Sequence, residues 1–474
     1  MEPTSRFGYP ARRVVSDPVD GRLVVVANRL PVRWDPRAGR WETSPGGLVT
    51  ALEPVLAERK GVWVGWTGTP DHAPEPFEVD GITQVPVPIA EDEVETYYEG
   101  FCNGTVWPLY HDAIRPVEIH RHWWRPYVEV NRRFAARVAD IVRPGDRVWV
   151  HDYQLQLVPG FLRELVPDTR IGFFLHIPFP PPEIYGRLPW RTQLVEGLLG
   201  ADVLGFQTRR AVLNFAGAAR MFGGARGRAQ SLEYRGRSIV AETVPISIDA
   251  DHYRALSLAH ETVSRAYNLR RSLGKPSSIL LGVDRLDYTK GIDLRLRAFE
   301  TLLQRRPDLH GDVVFIQVAV PSREQVEEYQ VIRGRVEQLV GRINGEFGRP
   351  DWIPVYYLYR SLPQDELIAY YRAADVMVVT PLRDGMNLVA KEYVATRTDG
   401  TGVLVLSEFA GAAEQLDEAF IVNPYDLDQM AAVLEQAVSL SPDEQRTRMA
   451  ALRRSVSRFD VHWWASECLA SLDG

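Results

Sequence analysis

The 474-residue chain is 45% hydrophobic and 25% charged, an ordinary globular composition whose length suits two or three domains with a core that needs no metal or disulfide support. Its net charge of −7 is spread over both signs, which excludes the basic stripe of a nucleic-acid surface and leaves any phosphate to a few locally placed cations. The longest apolar run, Val313–Val320, falls far short of the roughly 20 residues that span a bilayer, so no membrane contact is expected.

The first twenty residues are polar and hold no apolar export core. With only Cys102 and Cys468, and no metal-ligand spacing, a reducing cytoplasm is the expectation. In chain order, residues 23–28, 147–152, 171–176 and 203–208 read as buried strands. Between them lie helical patterns such as 123–142 and 209–222, whose apolar residues recur at three and four. Residues 230–246 break the series, because two β-rich stretches flank Arg235-Gly236 as in a hairpin. A polar helical stretch over 251–275 then links to a second alternating series, with strands at 279–285, 313–320, 353–359, 376–381, 403–407 and 420–424. This pattern predicts an α/β chain of two doubly wound Rossmann-like domains, 1–250 and 251–458, with a ligand cleft between their strand ends. The last segment, 459–474, is helical and long enough to pack back on the first domain.

Chemistry concentrates in VMVVTPLRDGMNLVAKEYVA, residues 376–395. A buried strand ends at Pro381, a tight turn holds Gly385, and a helix opens near Met386 or Asn387. Free backbone N–H groups and a positive dipole end then face the strand's carboxyl edge, a seat for an anionic diphosphate. Glu392 would reach ribose hydroxyls and Asp384 a sugar; the plainer alternative makes Asp384 a helix cap and Glu392 a solvated face residue. LLGVDRLDYTKG places Arg285 and Lys290 beyond another buried strand, with Gly291 ahead of a helix near Ile292. Two cations aimed at a departing nucleotide would stabilise its charge without a metal; otherwise Arg285 pairs with Asp284 or Asp287. In the first domain, Gly46-Gly47 would let backbone approach a phosphate or sugar. Asp152 and His176 each end a strand, where a carboxylate and an imidazole suit sugar hydroxyls. A simple turn and a satisfied core histidine are the commoner fates of such residues. Asp249 and Asp251 form a D-x-D in the linker, which is not read as a metal site. The lack of a G-x-G-x-x-G after any strand counts against a dinucleotide oxidoreductase. No metal and no cofactor are expected, only small-molecule substrates, with a homo-oligomer left open.

Together these segments resemble the trehalose-6-phosphate synthases, the retaining GT-B-fold glycosyltransferases of family 20. HDYQLQLVP, FFLHIPFPPPEI, DRLDYTKGI, GRINGEFG and TPLRDGMNLVAKEY stand in family order and at family-like spacing, as does TYYEGFCNGTVWP. The resemblance runs from VVVANRLPV to IVNPYDLD. It implies transfer of glucose from UDP- or GDP-glucose to glucose 6-phosphate with retention of anomeric configuration. It further implies that Arg29, Tyr98, Trp107 and Arg323 surround the acceptor phosphate and that Asp152 holds the acceptor sugar. His176 and Asp384 would contact the transferred glucose, Arg285 and Lys290 the donor diphosphate, and Glu392 the ribose. Backbone at Gly46, Gly47, Gly385, Met386, Asn387 and Leu388 would complete the donor site. Same-face attack, with the leaving phosphate taking the acceptor proton, then needs no protein nucleophile.

Two stretches depart from the family. YYLYRSLPQDEL, where the base-reading loop falls, leaves uridine or guanosine open. The longer, charged PVRWDPRAGRWETS implies a mobile loop over the acceptor. Synthases of glucosylglycerol phosphate or of a pseudo-disaccharide phosphate would share the donor domain; Tyr98, Trp107 and Arg323 favour glucose 6-phosphate.

Overall fold

Runs of Val, Ile, Leu and Phe recur between amphipathic helices, and the strands they form are buried on both faces, as parallel sheets covered by helices require. The computed structural model describes residues 21–35, 39–43, 49, 52, 56, 61–323 and 327–474. Contacts divide the chain into two units, Met1–Ile246 with Val461–Gly474, and Ser247–Asp460.

The strands of the first unit are β1 (Leu23–Arg29), β2 (Val32–Asp35), β3 (Arg40–Thr43), β4 (Val62–Trp66), β5 (Phe77–Val79) and β6 (Ile82–Pro86). They continue with β7 (Arg147–His151), β8 (Arg170–Leu175), β9 (Val203–Phe206), β10 (Arg226–Arg228), β11 (Ser231–Tyr234) and β12 (Arg237–Thr243). Ten of them form one sheet in the order β10-β11-β12-β9-β8-β7-β1-β4-β6-β5. From β12 through β6 all neighbours run parallel, and antiparallel strands finish both edges. The expected hairpin is β11–β12, turned at Arg235 (φ 49°) and Gly236 (φ 78°), the left-handed pair that a tight two-residue turn needs. The stretch expected as a loop over the acceptor is, in its described part, a hairpin of β2 with β3. Its Trp34 and Trp41 meet edge to face at 5.5 Å, and Trp41 stacks on Phe77 at 4.7 Å.

The helix Val461–Asp473 belongs to this first unit and packs on β8 and β9. Arg170 Nε donates to the Leu472 carbonyl at 3.2 Å, and Ser471 Oγ donates to Glu242 at 2.9 Å.

The second unit holds β13 (Ser278–Arg285), β14 (Val313–Val320), β15 (Val355–Leu358), β16 (Val376–Val379), β17 (Val403–Ser407) and β18 (Phe420–Val422). They form a wholly parallel sheet in the order β15-β14-β13-β16-β17-β18. The linker stretch is two helices, Ala250–Leu258 and His260–Ser272. Asp249 caps the first by accepting from the His252 N–H at 2.9 Å, which gives the D-x-D a structural role.

Each sheet reverses its strand order once along its parallel core, beside β1 where β7 and β4 flank it, and between β13 and β16. Such switch points open a crevice beyond the carboxyl ends of the strands, where open α/β sheets place their ligands. Among the described residues, no helix is long and apolar enough to cross a membrane.

Candidate active site

In the first unit the switch point is lined by the ends of β1 and β7. Arg29, the last residue of β1, lies over the Trp66 ring at 4.6 Å and reaches the Tyr98 ring at 5.8 Å, so two aromatic faces hold the guanidinium. Gly68 (φ 91°) leaves it room, since a Cβ there would stand 2.5 Å from Arg29 Nη1. Tyr98 sits in a 13-residue π-helix, Val94–Val106, which runs directly into the turn carrying Trp107. So long a π-helical run is rare and such distortions collect at functional sites. Trp107 is buried against His111, at 4.2 Å between ring centroids, and Tyr153, at 5.7 Å.

Asp152 follows β7 with φ 73° and ψ 171°, a conformation essentially reserved for glycine, so holding an aspartate there costs energy. Its backbone N–H donates to the Phe174 carbonyl at 2.8 Å, and its carboxylate accepts the His176 backbone N–H at 3.2 Å. The ends of β7 and β8 thus bring Asp152 and His176 together. Burial pushes the His176 imidazole down to about 3; burial, and then the neighbouring ring, push His151 down as well. Both rings are neutral at physiological pH.

In the second unit Arg285 ends β13, and Lys290 stands in the following turn. Lys290 Nζ donates to Asp384 Oδ2 at 2.6 Å, and Asn387 Nδ2 donates to the same oxygen at 3.1 Å. Gly291 (φ 62°) lets the turn that carries Lys290 close on the chain after β16, since a Cβ there would meet the Thr380 carbonyl at 2.6 Å. The helix after β16 is Leu388–Thr396, and its cap is Asn387 (φ 81°), whose Oδ1 accepts the Ala390 N–H at 3.2 Å. Asp384 is therefore not the cap; it pairs with the lysine. The Gly385-Met386 turn is pinned where the Asp384 N–H meets the Phe409 carbonyl (3.1 Å) and the Ala412 N–H meets the Met386 carbonyl (2.8 Å). Glu392 is half-buried rather than a solvated face residue. Tyr371 donates to it at 2.8 Å, and burial raises its carboxyl against the hydrogen bonds from Tyr371 and Tyr253.

Arg323 (φ 48°) donates to Asp287 at 3.4 Å and also meets the Tyr329 hydroxyl. Asp287 is fully buried and accepts from the Thr289 N–H (2.9 Å) and hydroxyl (2.8 Å) and from Tyr329 (2.9 Å). Burial alone would push its carboxyl up, but Arg323, Arg285 and Lys290 hold it well below the usual range. Arg323 belongs to the second unit, whereas Arg29, Tyr98 and Trp107 belong to the first. Gly46 and Gly47 lie outside the described residues.

Asp284 does not pair with Arg285. Its partner is Arg295, fully buried, at 2.6 Å; Arg295 also donates to Gln317 (3.1 Å) and Thr380 (3.0 Å), tying together β13, β14 and the end of β16. Truncating one partner of such a pair strands the other charge. Arg295→Ala is therefore expected to lose about 3–5 kcal/mol of unfolding free energy, measurable by urea titration of the second unit's transition; a loss below about 1 kcal/mol would show that the pair is not structural. Arg295, Tyr329, Tyr371, Tyr253 and His151 do not stand out in sequence, and Asp287 enters there only as an alternative partner of Arg285. Asp287 lies inside DRLDYTKG and His151 inside HDYQ, while the others touch the site only through space.

Against known proteins, residues 21–474 match the description Glycosyltransferase family 20. The chain belongs to that family. A trehalose-6-phosphate synthase of Mycolicibacterium smegmatis is 52% identical over 462 residues, covering 95% of this chain and 92% of the relative. Among solved structures, a UDP-forming α,α-trehalose-phosphate synthase from Burkholderia vietnamiensis is 38% identical with a TM-score of 0.88, covering 96% of this chain and 100% of that one. A Burkholderia xenovorans synthase in complex with glucose 6-phosphate is 36% identical, TM-score 0.88, covering 96% and 100%. An E. coli structure bound with UDP-2-fluoro glucose is 37% identical, TM-score 0.88, covering 95% and 98%. The two Rossmann-like units of this family 20 chain are those of a GT-B glycosyltransferase.

Proposed function

We infer that the chain is an α,α-trehalose-6-phosphate synthase, transferring glucose from UDP-glucose to glucose 6-phosphate with retention and releasing UDP and trehalose 6-phosphate. The observation that carries the reading is the β13/β16 switch point, where Arg285, Lys290 and the N-terminus of helix Leu388–Thr396 stand at the strand ends. Two side-chain cations and a helix dipole suit a departing diphosphate, whose charge grows as the glycosidic bond breaks. The choice of uridine is supported by relatives described as UDP-forming.

Within this reading Asp384 and His176 contact the transferred glucose and Glu392 takes the ribose through the carboxylate that Tyr371 and Tyr253 orient. Asp152 holds the acceptor sugar. Arg29, Tyr98, Trp107 and Arg323 recognise its phosphate. The leaving phosphate takes the acceptor proton, so no side-chain nucleophile is assigned. The backbone of Gly46, Gly47, Gly385, Met386, Asn387 and Leu388 completes the donor site. No metal or cofactor takes part, and the enzyme works in the cytoplasm.

The test is release of nucleoside diphosphate across a panel of UDP- and GDP-glucose donors with glucose 6-phosphate, glucose and glycerol phosphate as acceptors. UDP release is expected only with glucose 6-phosphate. Because Arg285 and Lys290 supply the positive charge, EDTA is expected to leave the rate largely unchanged. Abolition by EDTA with recovery on adding a divalent ion would overturn the metal-free reading, and turnover with glycerol phosphate would overturn the acceptor.

A further inference from the structure

His151 ends β7, immediately before Asp152, and is 1% exposed. Its Nδ1 lies 3.1 Å from Nε2 of His176, with the two rings tilted by only 28°. Between two neutral imidazoles one nitrogen must donate and the other accept. The surroundings of His151 are aromatic: Trp149, Phe174 and Trp464 of the last helix lie at ring distances of 4.6, 6.4 and 6.5 Å. Its Nε2 is buried and has no hydrogen-bond partner among the described residues.

That asymmetry decides the proton positions. If His151 carried its proton on Nε2, a buried N–H would be orphaned; with the proton on Nδ1, only a lone pair is left bare, and orphaned buried N–H groups are the rarer and costlier case. The Nδ1–H of His151 then donates to Nε2 of His176, which places the proton of His176 on Nδ1. A histidine side chain free in water favours the other tautomer. We infer that His151 is a positioning residue, locking His176 in the Nδ1–H tautomer so that the half-buried ring offers an N–H donor to an oxygen of the transferred sugar. The inference rests on the reading of His176 as a contact of that sugar. It gives Trp464 a part as well: the helix Val461–Asp473 closes the aromatic cage around the two rings.

Full-length protein labelled with ¹⁵N-histidine reads the tautomer directly from two-bond ¹H–¹⁵N correlations. There are ten histidines, and the spectrum of His176→Asn assigns the one that matters. The wild type is expected to show His176 protonated on Nδ1. His151→Phe is expected to shift His176 toward Nε2–H and to lower kcat about tenfold or more, with donor and acceptor KM changed less than about twofold. In His151→Asn the amide nitrogen takes the place of Nδ1, and both the Nδ1–H signature and most of kcat should return. An Nε2–H tautomer in the wild type would overturn the inference whatever the stability of the variants, and so would a shifted tautomer in a folded His151→Phe that keeps full kcat. Full activity in His176→Asn would instead sink the reading of His176 beneath it, with the wild-type tautomer still visible, so the two failures are told apart.

Discussion

Arg285→Ala and Lys290→Ala should each lower kcat by roughly ten- to a hundredfold, the equivalent of one charge-assisted contact of about 1.5–3 kcal/mol, and should raise the donor KM much less. Negative charge on the leaving diphosphate is greatest in the transition state, so a cation aimed at it contributes more there than to ground-state binding. The two variants are not equivalent. Arg285 stands exposed at the end of β13, and without it Asp287 keeps Arg323, Tyr329 and Thr289. Lys290 donates to Asp384 at 2.6 Å. Its loss takes the ammonium from a half-buried carboxylate that also accepts from the Asn387 amide, at 3.1 Å, and removing the counter-charge in such a place is costly. Lys290→Ala should therefore show the larger fall. Steady-state kinetics with varied UDP-glucose at saturating glucose 6-phosphate decide the matter. A wild-type kcat with only a raised donor KM would make either residue a uniform binder and remove its assigned role.

The doubly wound architecture is legible because parallel strands covered on both faces are written as unbroken apolar runs, as in SILLGVDR and VVFIQVAV. The turn signals were equally local: Arg235-Gly236 for the hairpin, Gly291 for the turn before helix Ile292–Arg305. What sequence did not reveal is what sequence spacing does not encode. The π-helix Val94–Val106 has no periodic signature, and the Gly100 it contains is legible only beside Trp123, where a Cβ would come within 2.7 Å of the ring. Tyr253 and Tyr371 reach Glu392 from two other helices of the second unit. As the plainer alternative, sequence puts the cap after β16 on Asp384, but the lysine takes that carboxylate and Asn387 caps instead. Asp152, Arg323 and Asn387 all have positive φ, a strain that no composition or pattern announces and that is retained where geometry matters more than stability.

Free glucose should be a very poor acceptor, and Arg323→Ala should narrow the gap. If Arg29 and Arg323 recognise the phosphate as proposed, each charge-assisted contact contributes about 1.5–3 kcal/mol, so kcat/KM for glucose 6-phosphate should exceed that for glucose by roughly a hundred- to ten-thousandfold. The partners of Arg323 within the protein set how that preference arises. Arg323 donates to Asp287 and Tyr329, so glucose does not strand a bare cation; it forgoes the added contacts and the orientation they give to the attacking hydroxyl. The fold should survive the substitution, because buried Asp287 keeps the Thr289 N–H and hydroxyl and the Tyr329 hydroxyl. Arg323→Ala should thus raise the KM for glucose 6-phosphate, cut its advantage over glucose by roughly ten- to a hundredfold, and leave UDP-glucose affinity measured without acceptor nearly unchanged. Arg323→Lys should recover only part of the advantage, since an ammonium cannot reproduce a two-pronged contact with phosphate. The decisive quantity is the ratio of kcat/KM for the two sugars in wild type and in both variants. Equal use of both sugars by the wild type would refute the phosphate pocket, and an unchanged ratio in Arg323→Ala would remove Arg323 from it.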